Sequence, residues 1–101
     1  MNDCRVAMSK AGGMVWRNNT GALKDPKGRL VRFGLCVGSS DIIGIAPDGV
    51  FVAVECKTDR GRVTDQQERF IANVRRQGGR AGVARSADEA VRIMNGTEGG
   101  R

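Results

Sequence analysis

The stretch Asp41-Ile42-Ile43-Gly44-Ile45-Ala46-Pro47-Asp48-Gly49-Val50-Phe51-Val52-Ala53-Val54-Glu55-Cys56-Lys57 decides the fold. Pro47-Asp48-Gly49 is a tight turn, because proline presets one backbone angle and glycine accepts the left-handed conformation. Before it, Asp41 to Ile45 carries branched apolar residues and reads as a strand. After it, Val50 to Lys57 is the clearest strand of the chain, and the two fold back as a hairpin. Side chains alternate across a strand. Val50, Val52, Val54 and Cys56 therefore share one face, and Phe51, Ala53, Glu55 and Lys57 share the other. Glu55 and Lys57 then project from the same side, about 7 Å apart along the strand. Asp41 and Glu55 each lie seven residues from Asp48, so the hairpin brings the two carboxylates level.

An acid and a base at the end of an apolar strand are costly if buried without partners. Two converging carboxylates repel unless a cation lies between them. An all-oxygen ligand set suits Mg²⁺ or Mn²⁺. Such an ion would polarise a phosphate oxygen and lower the pKa of a bound water. Lys57 would orient that water or offset charge on the phosphate. This is the chemistry of phosphodiester hydrolysis. Read singly, Asp41 is also a loop residue opening a strand, and Glu55 with Lys57 an exposed cross-strand face.

The chain's 101 residues suit one domain spanning residues 1–101, with a modest core. A net charge of +6 favours an anionic partner, nucleic acid first. Lys24, Lys27, Arg29 and Arg32 form a basic stretch that would grip a DNA backbone, and Arg60 and Arg62, just beyond the acidic strand, would touch phosphates. Arg75, Arg76 and Arg80 read equally well as solubilising surface. Histidine is absent, which excludes serine–histidine triads, cysteine–histidine pairs and HExxH zinc sites. Cys4, Cys36 and Cys56 are too widely spaced for a zinc motif and read as free thiols in a reducing compartment. No apolar run reaches the roughly 18–20 residues of a membrane span. The N-terminus lacks the order of a secretion signal, so the expectation is a cytoplasmic protein without membrane contact.

The remaining elements follow from local signals. Residues 3–11 read as a short helix stopped by Gly12-Gly13, residues 14–19 as a strand, residues 20–29 as a basic loop or hairpin turn, and residues 30–33 as a strand. Thr64 with Gln67 has capping-box spacing and opens a helix ended by Gly78-Gly79. Residues 81–84 form a buried strand, and Ser86 with Glu89 is a second capping box that opens a helix through about Met94. Trp16 and Phe33 read as core. Helices and strands in this order give an α/β domain with a mixed sheet.

Asp41, followed after a hydrophobic strand by Glu55-Cys56-Lys57, resembles the D…ExK core of the PD-(D/E)XK nuclease superfamily. The chain is similar to its VRR-NUC branch, named for virus-type replication and repair nucleases. The resemblance rests on Val15-Trp16-Arg17-Asn18-Asn19-Thr20-Gly21, Gly38-Ser39-Ser40-Asp41-Ile42-Ile43-Gly44, Val54-Glu55-Cys56-Lys57-Thr58, Gly61-Arg62-Val63-Thr64-Asp65-Gln66-Gln67, and the stretch from Gly78 to Ala90. It implies a restriction-endonuclease-like core, a mixed β-sheet flanked by helices. Asp41, Glu55 and the Cys56 backbone carbonyl would hold Mg²⁺ or Mn²⁺, and Lys57 would be the catalytic lysine. Gln67 would match the family's active-site glutamine, a role beside its cap that stays open. Stand-alone relatives resemble dimeric, structure-specific nucleases, including Holliday-junction resolvases. The expectation is a homodimeric endonuclease acting on branched DNA in replication or repair, in a bacterial or phage-infected cell. Two departures are visible: Ser40 stands where the superfamily's name has proline, and Asp3 is the only acid before Asp25, where many members place a glutamate on the first helix.

Overall fold

The computed structural model describes residues 2–19, 21–33, 35–36 and 38–97, and the backbone alone at residues 21, 22 and 31–33. Its elements are α1 (Asn2–Lys10), β1 (Met14–Arg17), β2 (Gly21–Lys24), β3 (Leu30–Phe33), β4 (Ile42–Ile45), β5 (Phe51–Cys56), α2 (Asp65–Arg76), β6 (Arg80–Ala84) and α3 (Ala87–Asn95).

The turn sets the register. Gly49 adopts φ +89°, and its N–H donates to the Ala46 carbonyl at 2.8 Å. β4 and β5 then pair antiparallel, Ile42 opposite Val54 and Ile45 opposite Phe51, which centres the hairpin on Asp48. β1 adds antiparallel to β4. β6 adds parallel to β5, with Glu55 beside Val83. A parallel neighbour needs a crossover, and α2 supplies it. The sheet order is β1-β4-β5-β6.

Alternation gives each face its own core. Ile42, Val52 and Val54 pack with Met8 of α1 and with Ala90, Ile93 and Met94 of α3. Ile43, Ala53 and Ala81 pack with Ile71 of α2. Each fully buried aliphatic side chain contributes roughly 1.5–3 kcal/mol. α2 lies over β5 and β6, so it leaves the β1 side of its face uncovered. Trp16, expected in the core, is 47% exposed there: its strand is at the sheet edge, beyond the helix. The expectation for Phe33 lies outside the described side chains.

Of the two readings of residues 20–29, a basic loop or a hairpin turn, the described residues 21–29 take the hairpin. Gly21–Lys24 pairs antiparallel with Leu30–Phe33 as a separate two-stranded sheet. Asp25 builds its turn, accepting from the backbone N–H of Lys27 at 2.9 Å and of Arg29 at 2.8 Å. Two of the arginines that read equally well as solubilising surface hold structural contacts. Arg80 chelates Asp48 at the turn through contacts of 3.0 and 2.6 Å and donates to the Met94 carbonyl at 2.9 Å. Arg75 donates to the Ala81 carbonyl at 2.8 Å.

Candidate active site

Asp41 lies one residue before β4, and the register carried one step further sets it opposite Glu55. Its carbonyl accepts from the Asn18 N–H at 2.7 Å. Its Oδ2 accepts from the Cys56 N–H at 3.0 Å. Strands on both sides of β4 thus hold this residue, one through the backbone and one through the carboxylate.

Glu55 ends the apolar run of β5 and is only 2% exposed, because β6 flanks it and α2 begins beside it. Its Oε2 accepts from Gln67 Nε2 at 3.1 Å and lies 3.7 Å from Lys57 Nζ. Its Oε1 is buried with no hydrogen-bond partner among the described residues. The Glu55 carboxyl is pushed up from 4.5 to about 7, first by burial and then by the Asp41 carboxyl, with Lys57 opposing. Near neutral pH it is poised between acid and carboxylate.

Gln67 joins two functions that the sequence left open. Its side-chain oxygen accepts from Thr64 N–H at 2.9 Å, and its backbone N–H donates to Thr64 Oγ1 at 3.1 Å, a complete capping box. The same amide offers its NH₂ to Glu55. The helix cap therefore aims the donor. At α3 the box is incomplete: Ser86 Oγ accepts from Glu89 N–H at 3.2 Å, but Glu89 Oε1 turns to Arg85 N–H at 2.6 Å.

A buried carboxylate oxygen without a partner, facing a second carboxylate, is the electrostatic signature of a place for a cation. The donors are oxygens, from Asp41, Glu55 and the Cys56 carbonyl, and they fit a hard divalent ion. Among the described residues no group of three or more acidic or thiol side chains converges. Further ligands would be water and substrate phosphate, as Mg²⁺ accepts. The Cys56 thiol takes no part: burial first, then the adjacent Cys4 thiol, push it up to about 12.

A cleft of about 250 Å³ opens beside the pair, with Asp3, Asp41, Cys56, Lys57, Arg85 and Ser86 among its walls. Asp3, on the first turn of α1, thus borders the same cleft as Asp41. The Arg85 guanidinium donates to the carbonyls of Thr58 and, at 3.0 Å, of Gly61. It tethers the loop that carries Arg60 and Arg62, both exposed next to the cleft. Lys24, Lys27 and Arg29 are exposed on the β2–β3 hairpin, in a different sheet from the acidic pair. Arg29 Nε is engaged by Asp25 Oδ2 at 2.9 Å. The Arg32 side chain lies outside the described residues. Sequence reasoning missed Asn18 and Arg85, which act through partners about 20 or more positions away; only their place within or beside recognisable stretches marked them.

The family model described as the VRR-NUC domain matches residues 5–88. That span is well over half of the chain and includes Asp41, Glu55, Lys57 and Gln67. The mixed sheet with flanking helices is the architecture of the PD-(D/E)XK nuclease fold to which this family belongs. No curated protein matches the chain.

Proposed function

Because the chain belongs to the VRR-NUC domain family, a family of nuclease domains, we propose that it is a divalent-metal-dependent, structure-specific DNA endonuclease, with Asp41, Glu55 and Lys57 as its catalytic centre. One observation carries this reading. Glu55 is buried with an oxygen that has no partner among the described residues, opposite Asp41 and 3.7 Å from Lys57. Oxygen donors beside an ammonium suit a hard divalent cation and a phosphate.

Asp41, Glu55 and the Cys56 carbonyl would hold Mg²⁺ or Mn²⁺, which when bound polarises the scissile phosphate and makes water a better nucleophile. The chain's own groups do the rest. Lys57 offsets through Nζ the negative charge that grows on the phosphate oxygens. Gln67 fixes the rotamer of Glu55 through its 3.1 Å contact. Arg60 and Arg62 grip neighbouring phosphates from the tethered loop. Lys24, Lys27, Arg29 and Arg32 add salt-dependent affinity from the hairpin.

The preference for branched DNA and a homodimeric state are part of the same proposal. The dimer is supported by an uncovered apolar row, Met14, Ile45 and Phe51, with Trp16 beside it; these residues are 38–61% exposed. A two-fold pair would carry two sites, matched to the two arms cut in a junction.

The test is a panel of labelled four-way junction, flap, nicked and linear DNAs with Mg²⁺, Mn²⁺ or chelator. The expected result is metal-dependent cutting, strongest on branched DNA and reduced at least about 100-fold in D41A and K57A. Binding without cutting under any metal would leave a DNA-binding module instead. Normal cutting by both variants would remove the proposed site.

A further inference from the structure

Asp41 is reached through the buried segment Ser39-Ser40, 7% and 0% exposed. Asn18, immediately after β1, holds this segment along its length. Its backbone N–H extends the β1–β4 ladder to the Asp41 carbonyl at 2.7 Å. Its side-chain amide donates to Ser39 Oγ at 2.8 Å and to the Ser40 carbonyl at 3.0 Å. One residue thus contacts three consecutive residues, and both amide hydrogens are used. Gly38 secures the other end. It has φ +88°, and a Cβ there would meet the Gln66 carbonyl oxygen at 2.5 Å, so only glycine lets the segment lie against the start of α2.

We propose that Asn18 is the positioning residue for Asp41. Its amide fixes the backbone at residues 39–41 so that the Asp41 carboxylate meets Glu55 at a single point. The inference rests on the reading of Asp41 and Glu55 as a cation-binding pair. Asp41 Oδ2 is already held by the Cys56 N–H at 3.0 Å, so a loosened backbone strains or breaks the hydrogen bond that aims its carboxylate. Removing the Asn18 donors also takes away the hydrogen bond to the Ser40 carbonyl. Groups that orient a ligand in this way typically change metal affinity about 10–100-fold when lost.

The experiment is calorimetric titration of Mn²⁺ into the DNA-free protein: wild type, N18A, N18D and S39A. Circular dichroism melts in chelator run alongside. N18D keeps the size of the side chain and loses both donors; S39A loses one acceptor and keeps the other. The expected result is Mn²⁺ affinity lowered about tenfold or more in N18A and N18D, and less in S39A. Wild-type affinity in both N18A and N18D overturns the inference. Tighter binding by N18D also overturns it, because local charge rather than backbone position would then govern the site. If N18A fails to fold, unchanged affinity in N18D and S39A overturns it equally. A wild type that takes up no Mn²⁺ sinks the reading of the acidic pair itself, and the inference with it.

Discussion

Replacing Glu55 by glutamine keeps the shape of the side chain and deletes its charge. In the metal-free protein that charge is disfavoured, since the group is 2% exposed and its carboxyl is pushed up from 4.5 to about 7. A carboxyl that holds its proton more tightly folded than unfolded stabilises the fold fully below pH 4.5 and loses that contribution as the pH rises through about 7. The interval corresponds to roughly 3 kcal/mol at about 1.4 kcal/mol per pH unit. Solvent at the mouth of the cleft screens part of it, leaving about 2 kcal/mol. The glutamine amide mimics the protonated acid, with a carbonyl for Gln67 and an N–H in place of the unpaired oxygen. In chelator at pH 8, E55Q is expected to melt roughly 10 °C above wild type. Near pH 4 the two should coincide. Circular dichroism melts at both pH values measure this. Were the Lys57 contact at 3.7 Å the dominant effect, E55Q would be the less stable protein at pH 8, and the reasoning would be refuted. Mg²⁺ or Mn²⁺ should reverse the order by stabilising only the wild type; equal stabilisation of both would take Glu55 out of the ligand set.

Three further outcomes are expected. Q67E keeps an oxygen for the Thr64 cap and loses the donor to Glu55, so with metal present its melting should stay near wild type while cleavage falls about tenfold. Q67A loses the cap too and is expected to be about 1 kcal/mol less stable; full activity in Q67E would confine Gln67 to its cap. Of the three cysteines, the exposed Cys36 alone should react with a maleimide under native conditions; mass-mapped labelling before unfolding of buried Cys4, or of half-buried Cys56 with its thiol pushed up to about 12, would contradict this. K24A/K27A should reduce the slope of log affinity against log salt by about 2, and an unchanged slope would take the hairpin off the DNA.

Much of the centre was legible because its geometry is local. Pro47-Asp48-Gly49 makes the turn, a period of two assigns the faces, and equal spacing from Asp48 brings Asp41 opposite Glu55. These relations involve neighbours in sequence, and the observed register agrees with them. The capping box at Thr64 and Gln67 was legible for the same reason. The first strand of the basic hairpin was missed because Gly21 and the lysine- and glycine-rich turn weaken strand propensity; the pairing with β3 and the Asp25 turn outweigh it. Trp16 was misassigned because hydrophobicity does not report whether a helix covers a given strand.

By itself, then, the sequence determined the hairpin, the facing of its side chains and the pairing of an acid with an acid and a lysine. Tertiary structure alone decided that Glu55 is buried, that Gln67 reaches it, and that Asn18 and Cys56 hold Asp41 from opposite sides. The reason is physical. Turn type and strand alternation are set by each residue's own backbone preferences. Burial and orientation at this site depend instead on β1 and β6 docking on either side of the hairpin, and on the α2 crossover between β5 and β6, contacts that no short window of sequence contains.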